Sequence, residues 1–218
     1  MRIKSDESLF IMPKVSEAYL VARRAEILDA AWRCLARKGY HQTTMQDVCE
    51  ESGLSYGAIY RYFASKEEIL IAIFERIAEV SRAIVEQAKS QTSDPRNALE
   101  AIGRGTFSYF DQPNFEFVTR TDIEIWPEMM RSKSLRERFG EGVRYWHGIV
   151  SELLREAQRR GELRPDVDPN VVAALDMCAF EGLRRYRLIA PEIFEPEPIR
   201  QLLDTLGREG GEDDGNAD

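Results

Sequence analysis

Residues 53–63 read GLSYGAIYRYF, with two glycines, three tyrosines and an arginine in eleven positions. A helix interior disfavours glycine by about 1 kcal/mol relative to alanine. A core that offers no partners for hydroxyls has no use for three phenols. The chemistry this set can do is recognition. Phenol hydroxyls donate to phosphate oxygens, their rings touch thymine methyls, and a guanidinium pairs with phosphate. Gly53 supplies the positive φ of a tight turn. Ser55 caps the helix that follows and leaves its first N–H groups free for a phosphate. Gly57 lets the backbone approach another surface closely. Ile59 and Phe63, four apart, turn inward, which places Tyr56 and Tyr60, also four apart, on a neighbouring face. Arg61 and Lys66 add cations nearby.

The elements around this stretch are helices. Ile27, Ala31, Cys34 and Leu35 recur at helical spacing in a helix over about residues 17–38, with Gly39 as its stop. Thr43 or Thr44 caps a short second helix, with Gln46 or Asp47 as the returning partner, and Gly53 ends it. Ser65 and Glu68 form a capping box for a long helix carrying Ile69, Leu70, Ile73, Phe74, Ile77, Val80 and Ile84. Long, short, short, with a tight turn before the third, is the order of a helix-turn-helix, whose second helix enters the DNA major groove.

With these residues in place, the sequence resembles the TetR/AcrR family of transcriptional regulators. The elements carrying the resemblance are Thr43-Thr44, Gly53-Leu54-Ser55, Gly57, Tyr60-Arg61-Tyr62-Phe63 and Lys66-Glu67, within a close match over about residues 21–70. The resemblance implies that Thr44, Tyr60, Tyr62 and Lys66 contact phosphates and that Tyr56, beside Gly57, reads base edges. Arg61 falls at a variable position near the DNA, and Thr43 and Ser55 complete the DNA-binding set. Tyr62 stands where histidine is commoner, and Cys49 and Ser52 stand where alanine is usual.

Behind the polar break SQTSDP at 90–95, helices are expected at 96–110, 114–125, 127–133, 135–160, 171–189 and 199–206. The fold class is all-α. The expected parts are a flexible arm (1–16), a helix-turn-helix domain with its connecting helix (17–89), a larger ligand-binding and dimerisation domain (90–207) and a disordered acidic tail (208–218).

The back half is rich in aromatic and methionine side chains, which line apolar pockets as readily as they fill cores. The candidate ligand set is Arg104, Phe107, Phe110, Phe117, Arg120, Asp122, Trp126, Met130, Trp146, His147, Met177, Phe180 and Glu181. Its carboxylates suit a flat or greasy cation. Arg104 and Arg120, in the same segments, would neutralise them or hold an anion instead. For dimerisation, Val172, Leu175, Ala179, Leu183 and Tyr186 give one helix an apolar face, and Leu202, Leu203 and Leu206 give the last helix a stripe. Paired helices from two subunits would form a four-helix interface.

Composition sets the bounds. The chain has 218 residues, 43% of them hydrophobic, and a net charge of −8, so bulk charge does not draw it to polyanions. Residues 1–66 nonetheless carry ten basic and eight acidic side chains, leaving the negative balance to the rest. The three cysteines, Cys34, Cys49 and Cys178, lack metal-ligand spacing and read as reduced thiols. No nucleophile–base set, cofactor site, signal peptide or membrane span is visible. The expectation is a cytoplasmic homodimeric regulator rather than an enzyme. It would be a repressor, released from a palindromic double-stranded DNA operator by a small hydrophobic effector. The rival expectations are a helical small-molecule-binding protein or enzyme without DNA function, and a regulator whose pocket holds no effector and which answers to a protein partner.

Overall fold

The computed structural model describes residues 16–206, and the side chains of 16–201. The expected tail and nearly all of the expected arm lie outside the described residues, as do the side chains of Leu202, Leu203 and Leu206. Nine α-helices and one short 3₁₀ turn follow one another, with no strand among the described residues: α1 (Glu17–Gln42), α2 (Met45–Ser52), α3 (Tyr56–Tyr60), α4 (Lys66–Gln91), α5 (Pro95–Phe107), the 3₁₀ turn (Ser108–Asp111), α6 (Phe115–Arg131), α7 (Lys133–Arg159), α8 (Pro169–Tyr186) and α9 (Pro196–Leu206).

Local chemistry sets most boundaries. Thr44 caps α2 in a reciprocal box: its hydroxyl accepts from Asp47 N at 3.1 Å, and Asp47 Oδ2 accepts from Thr44 N at 2.8 Å. Gly53, at φ 68°, ends α2 in the left-handed region that side chains avoid. Ser65 caps α4, but the Glu68 carboxylate accepts from Ala64 N at 2.6 Å rather than closing the expected box on Ser65.

Three boundaries differ from the sequence expectation. Gly39 turns the chain at φ 72°, yet helical structure resumes beyond it to Gln42. The aromatic run after Thr106 leaves α5 for a 3₁₀ turn. Pro127 does not break α6. Proline removes one helical donor and crowds the carbonyl four residues back. Ile125 and Met129, on either side of it, are both sunk in one core and hold the helix continuous.

That core belongs to the front of the molecule. It joins Ile27, Leu28, Ala31 and Leu35 of α1, Val48 and Cys49 of α2, Ile59 of α3, Phe63, and Ile69, Leu70, Ile73 and Phe74 of α4. Ile125, Met129 and Leu135, from α6 and the start of α7, complete it. The head is therefore built partly from the back of the chain. Further along α4, Val85 and Ala88 pack with Ile102 of α5 against Trp146, Ile149 and Leu153 of α7. Phe107, Phe110, Phe115 and Leu183 form an aromatic core under α8 and α9.

Candidate nucleic-acid interface and effector region

The inward residues of α3 fix where its outward residues stand. Ile59 is fully buried and Phe63 nearly so, while Tyr56 is 52% and Tyr60 38% exposed. The two phenol rings stack at 4.3 Å, and Tyr56 Oη donates to Tyr60 Oη at 2.7 Å. Ser55 caps the helix, accepting from Ala58 N at 3.3 Å. A Cβ built on Gly57 would meet nothing within 4 Å. The fold itself therefore has no steric need of a glycine there. Exposed Arg61 lies over the Tyr62 ring at 5.4 Å. The Tyr62 ring is half-buried against the head core, the packing role that its phenol was equally suited to.

Two members of the expected DNA-binding set are corrected. Thr43 is 1% exposed; its hydroxyl donates to Gly39 O at 2.7 Å and its N–H is bound to the same carbonyl. It closes the end of α1 and has no surface for a phosphate. Lys66 turns inward: its ammonium donates to the carbonyls of Tyr40 and, at 2.7 Å, of Thr43, and lies 4.1 Å from the Tyr40 ring centroid. It pins the start of α4 to the end of α1, and partial burial lowers its pKa. Thr44 remains at the surface, though its hydroxyl is engaged in the α2 cap.

The expected ligand set does not converge on one cavity. Phe107, Phe110 and Phe180 meet in the aromatic core, at 5.5 to 5.9 Å between ring centroids. Trp146 of α7 packs against α4 and α5, and His147 Nε2 is 3.1 Å from Asn170 O, tying α7 to α8. Phe117, Arg120 and Met130 are exposed on α6, Trp126 packs against Phe139, and Met177 is half-buried on α8. Asp122 and Glu181 do meet, but around two cations outside the expected set, Arg184 and Arg185. Arg184 and Arg185 both donate to Asp122, and Arg185 also reaches Glu181 at 2.6 Å. Burial raises the Asp122 carboxyl, and the Arg184 guanidinium opposes that rise. These acids are already paired with arginines of the same chain and offer a cationic ligand no free carboxylate. Arg185 stands four residues after Glu181, a spacing that reveals the pair on a helix.

One open groove does reach into this region. It encloses about 540 Å³ between the end of α5, the 3₁₀ turn and the segment joining α8 to α9. Arg104, Phe107 and Phe110 line it, together with Arg187, Glu195 and Arg200.

The expected dimer face divides. Leu175 and Tyr186 are more than half exposed, as are Val171, Ile189 and Ile193. Leu183 is a correction: at 3% exposure it belongs to the aromatic core of its own chain. Val172 is half-buried against the α7–α8 core and Ala179 is half-buried.

No group of side chains among the described residues could hold a metal ion, and no described helix is long and apolar enough to cross a membrane. A buried three-helix head presenting two phenols, a bare glycine and an arginine on a capped third helix defines a helix-turn-helix DNA-binding protein. Residues 27–73 match the family described as bacterial regulatory proteins, tetR family, and residues 95–207 match the C-terminal part of the BetI-type transcriptional repressors. The chain is 28% identical to the HTH-type transcriptional repressor Rv1474c of Mycobacterium tuberculosis, over 89% of this chain and 96% of that protein. It is 30% identical to the transcriptional repressor AcnR of Corynebacterium diphtheriae, over 74% of this chain and 78% of that one. The solved structure of SmeT, repressor of a Stenotrophomonas maltophilia multidrug efflux pump, superposes with a TM-score of 0.68 at 26% identity, covering 86% of this chain and 91% of that chain. SmeT is also solved in complex with triclosan. The chain belongs to the TetR family of bacterial regulatory proteins. It is a DNA-binding transcriptional regulator of the repressor type and not an enzyme.

Proposed function

We propose that the protein acts in the cytoplasm as a homodimer that represses transcription from a palindromic operator and releases it when a small hydrophobic effector binds the C-terminal helices. The observation that carries the DNA half is the exposed, stacked Tyr56–Tyr60 pair beside Gly57, on a helix whose other face is fully buried. Tyr56 and Gly57 face base edges; Tyr60, Arg61, Ser55 and Thr44 serve the backbone. Lys66 and Thr43 act from inside, by holding α1, α2 and α4 in register.

The exposed apolar face of α8 suits a two-fold interface, which would set two α3 helices about 34–36 Å apart, one DNA turn. Coupling to the effector has a physical route. α6 carries Asp122, held by α8, and also packs on α1: His41 Nε2 lies 2.8 Å from Glu128, and a Cβ on Gly39 would approach Glu124 at 3.2 Å. An effector that shifts α6 relative to α8 changes the spacing of the two heads, and so acts by population shift. The SmeT–triclosan complex supports an effector of modest size and apolar character.

The test is selection of oligonucleotides from a random pool, followed by a compound screen for release of the selected site. A palindrome with half-sites about one turn apart is the expected result. An unselected pool, bound with equal affinity throughout, would sink the operator reading.

A further inference from the structure

The groove beside the aromatic core holds a cation that no carboxylate among the described residues neutralises. Arg200 pairs with Glu197 at 2.6 Å, and Arg104 reaches Glu100 at 3.7 Å. Arg187 makes no ion pair among the described residues. Its guanidinium lies 5.7 Å from the ring centroids of both Phe110 and Phe115. It is half-buried, whereas the unpaired acids on the same groove, Asp111 and Glu195, are exposed.

That asymmetry decides the sign of a ligand. Exposed carboxylates keep their water and need no partner. Arg187 is a half-buried residue whose guanidinium has no counter-charge among the described residues, so an anion in the groove would give it its first ion pair. The two phenyl rings attract the cation through their faces and hold the planar group in place. Its N–H donors then form a preset fork that suits a carboxylate bidentately. The apolar floor is small, since Phe107 and Phe110 are 8% and 5% exposed. It suits a compact ring or short acyl group rather than a long chain. A groove of about 540 Å³ lies within the range that encloses small-molecule ligands, about 300–1,000 Å³.

We infer that the effector of this regulator is a carboxylate on a compact aromatic or short acyl body, paired with Arg187 and resting on Phe107 and Phe110. This rests on the effector reading above and fixes its charge and its place. It also reverses the preference for a cation that Asp122 and Glu181 suggest in the sequence, because Arg184 and Arg185 already hold those acids.

Three matched probes test it: 2-naphthoate, 2-naphthamide and 2-(aminomethyl)naphthalene, titrated calorimetrically into the full-length protein. The naphthoate is expected to bind at least tenfold more tightly than the amide or the amine. Arg187→Gln is expected to remove that preference, lowering naphthoate affinity about tenfold and leaving the amide unchanged. Arg187→Lys keeps the charge without the fork and should retain part of the preference. If Arg187→Gln does not fold, the lysine variant and the wild-type ranking of the probes still decide the matter. Equal binding of the three probes, tighter binding of the amine, no naphthoate binding at millimolar concentration, or naphthoate binding that no Arg187 variant alters each overturns the inference. So does loss of the dimer in Arg187→Gln, which would assign the guanidinium to the subunit interface. The effector reading survives such a failure if some screened compound still releases the selected operator through Arg187→Gln protein. It falls as well if no compound releases the operator from wild type.

Discussion

Tyr56 and Tyr60 are exposed enough to contribute little to folding, and their mutual hydrogen bond orients both phenols on one surface. Tyr56→Phe is therefore expected to leave the thermal midpoint unchanged. It should weaken operator binding by about 3- to 10-fold, the worth of one neutral hydrogen bond, with random DNA weakened less. An equal loss on operator and random DNA would move Tyr56 from base reading to backbone positioning. Lys66 is the opposite case. Its ammonium serves two backbone carbonyls at the junction of α1 and α2, so Lys66→Ala leaves both oxygens short of a donor. The expected cost is about 2 kcal/mol of stability, as for hydrogen bonds to charged groups, measured by urea unfolding. The salt dependence of operator affinity should be unchanged. A slope shallower by about one unit at unchanged stability would instead return Lys66 to the phosphate contacts. The sequence motif marked Lys66 as a phosphate contact and gave no sign that its side chain turns inward. A lysine beside a turn is compatible with either direction until Tyr40 is known to lie beneath it.

At the scale of elements, the short α2 hangs on one carboxylate. Asp47 accepts from Lys38 at 2.5 Å and from both the N–H and hydroxyl of Thr44, and these bonds hold its pKa down to about 2. Since the folded value lies below the ordinary value of 3.8, the ionised carboxylate stabilises the fold above the ordinary value. That contribution is lost as pH falls through the folded one. The expected outcome is a loss of head stability concentrated between about pH 4 and pH 2, which Asp47→Asn abolishes by lowering stability already at neutral pH. Circular dichroism during acid titration, at a denaturant concentration near the midpoint, checks it. A wild-type profile matching that of Asp47→Asn would remove the cap from the account. Caps and turns of this kind were legible, because Thr44, Ser55, Ser65 and Gly53 act on backbone groups within four residues. Helix breaks were less so. Pro127 reads as a stop locally, and only the burial of Ile125 and Met129 against α1 overrides it. The long-range pairs were invisible for the same reason: nothing near Asp122 in the chain announces Arg184, 62 residues away.

For the whole molecule, the all-helical architecture and the helix-turn-helix could be read from periodicity and motif, while the direction of each apolar face could not. α8 shows why. Its sequence is apolar around most of its circumference, so Leu175 and Leu183 look alike, yet one is 57% and the other 3% exposed. Leu183 fills the core with Phe107, Phe110 and Phe115, whereas Leu175 shares the open side with Val171. An arginine at the two positions should fail in different ways. Leu175→Arg should fold with a nearly unchanged monomer core. In a dimer joined through α8, it would place a like charge from each subunit in an apolar contact, at a cost of several kcal/mol. Leu183→Arg buries an unpaired charge within one subunit and should prevent folding altogether. Sedimentation equilibrium with circular dichroism separates the outcomes: a helical monomer for Leu175→Arg, and loss of helicity or aggregation for Leu183→Arg. Because each half-site contact is weak alone, the Leu175→Arg monomer should bind a full palindrome no better than a half-site. An intact dimer for Leu175→Arg would place the two-fold axis away from this face of α8, and the operator spacing expected from it would have to be rebuilt around another surface.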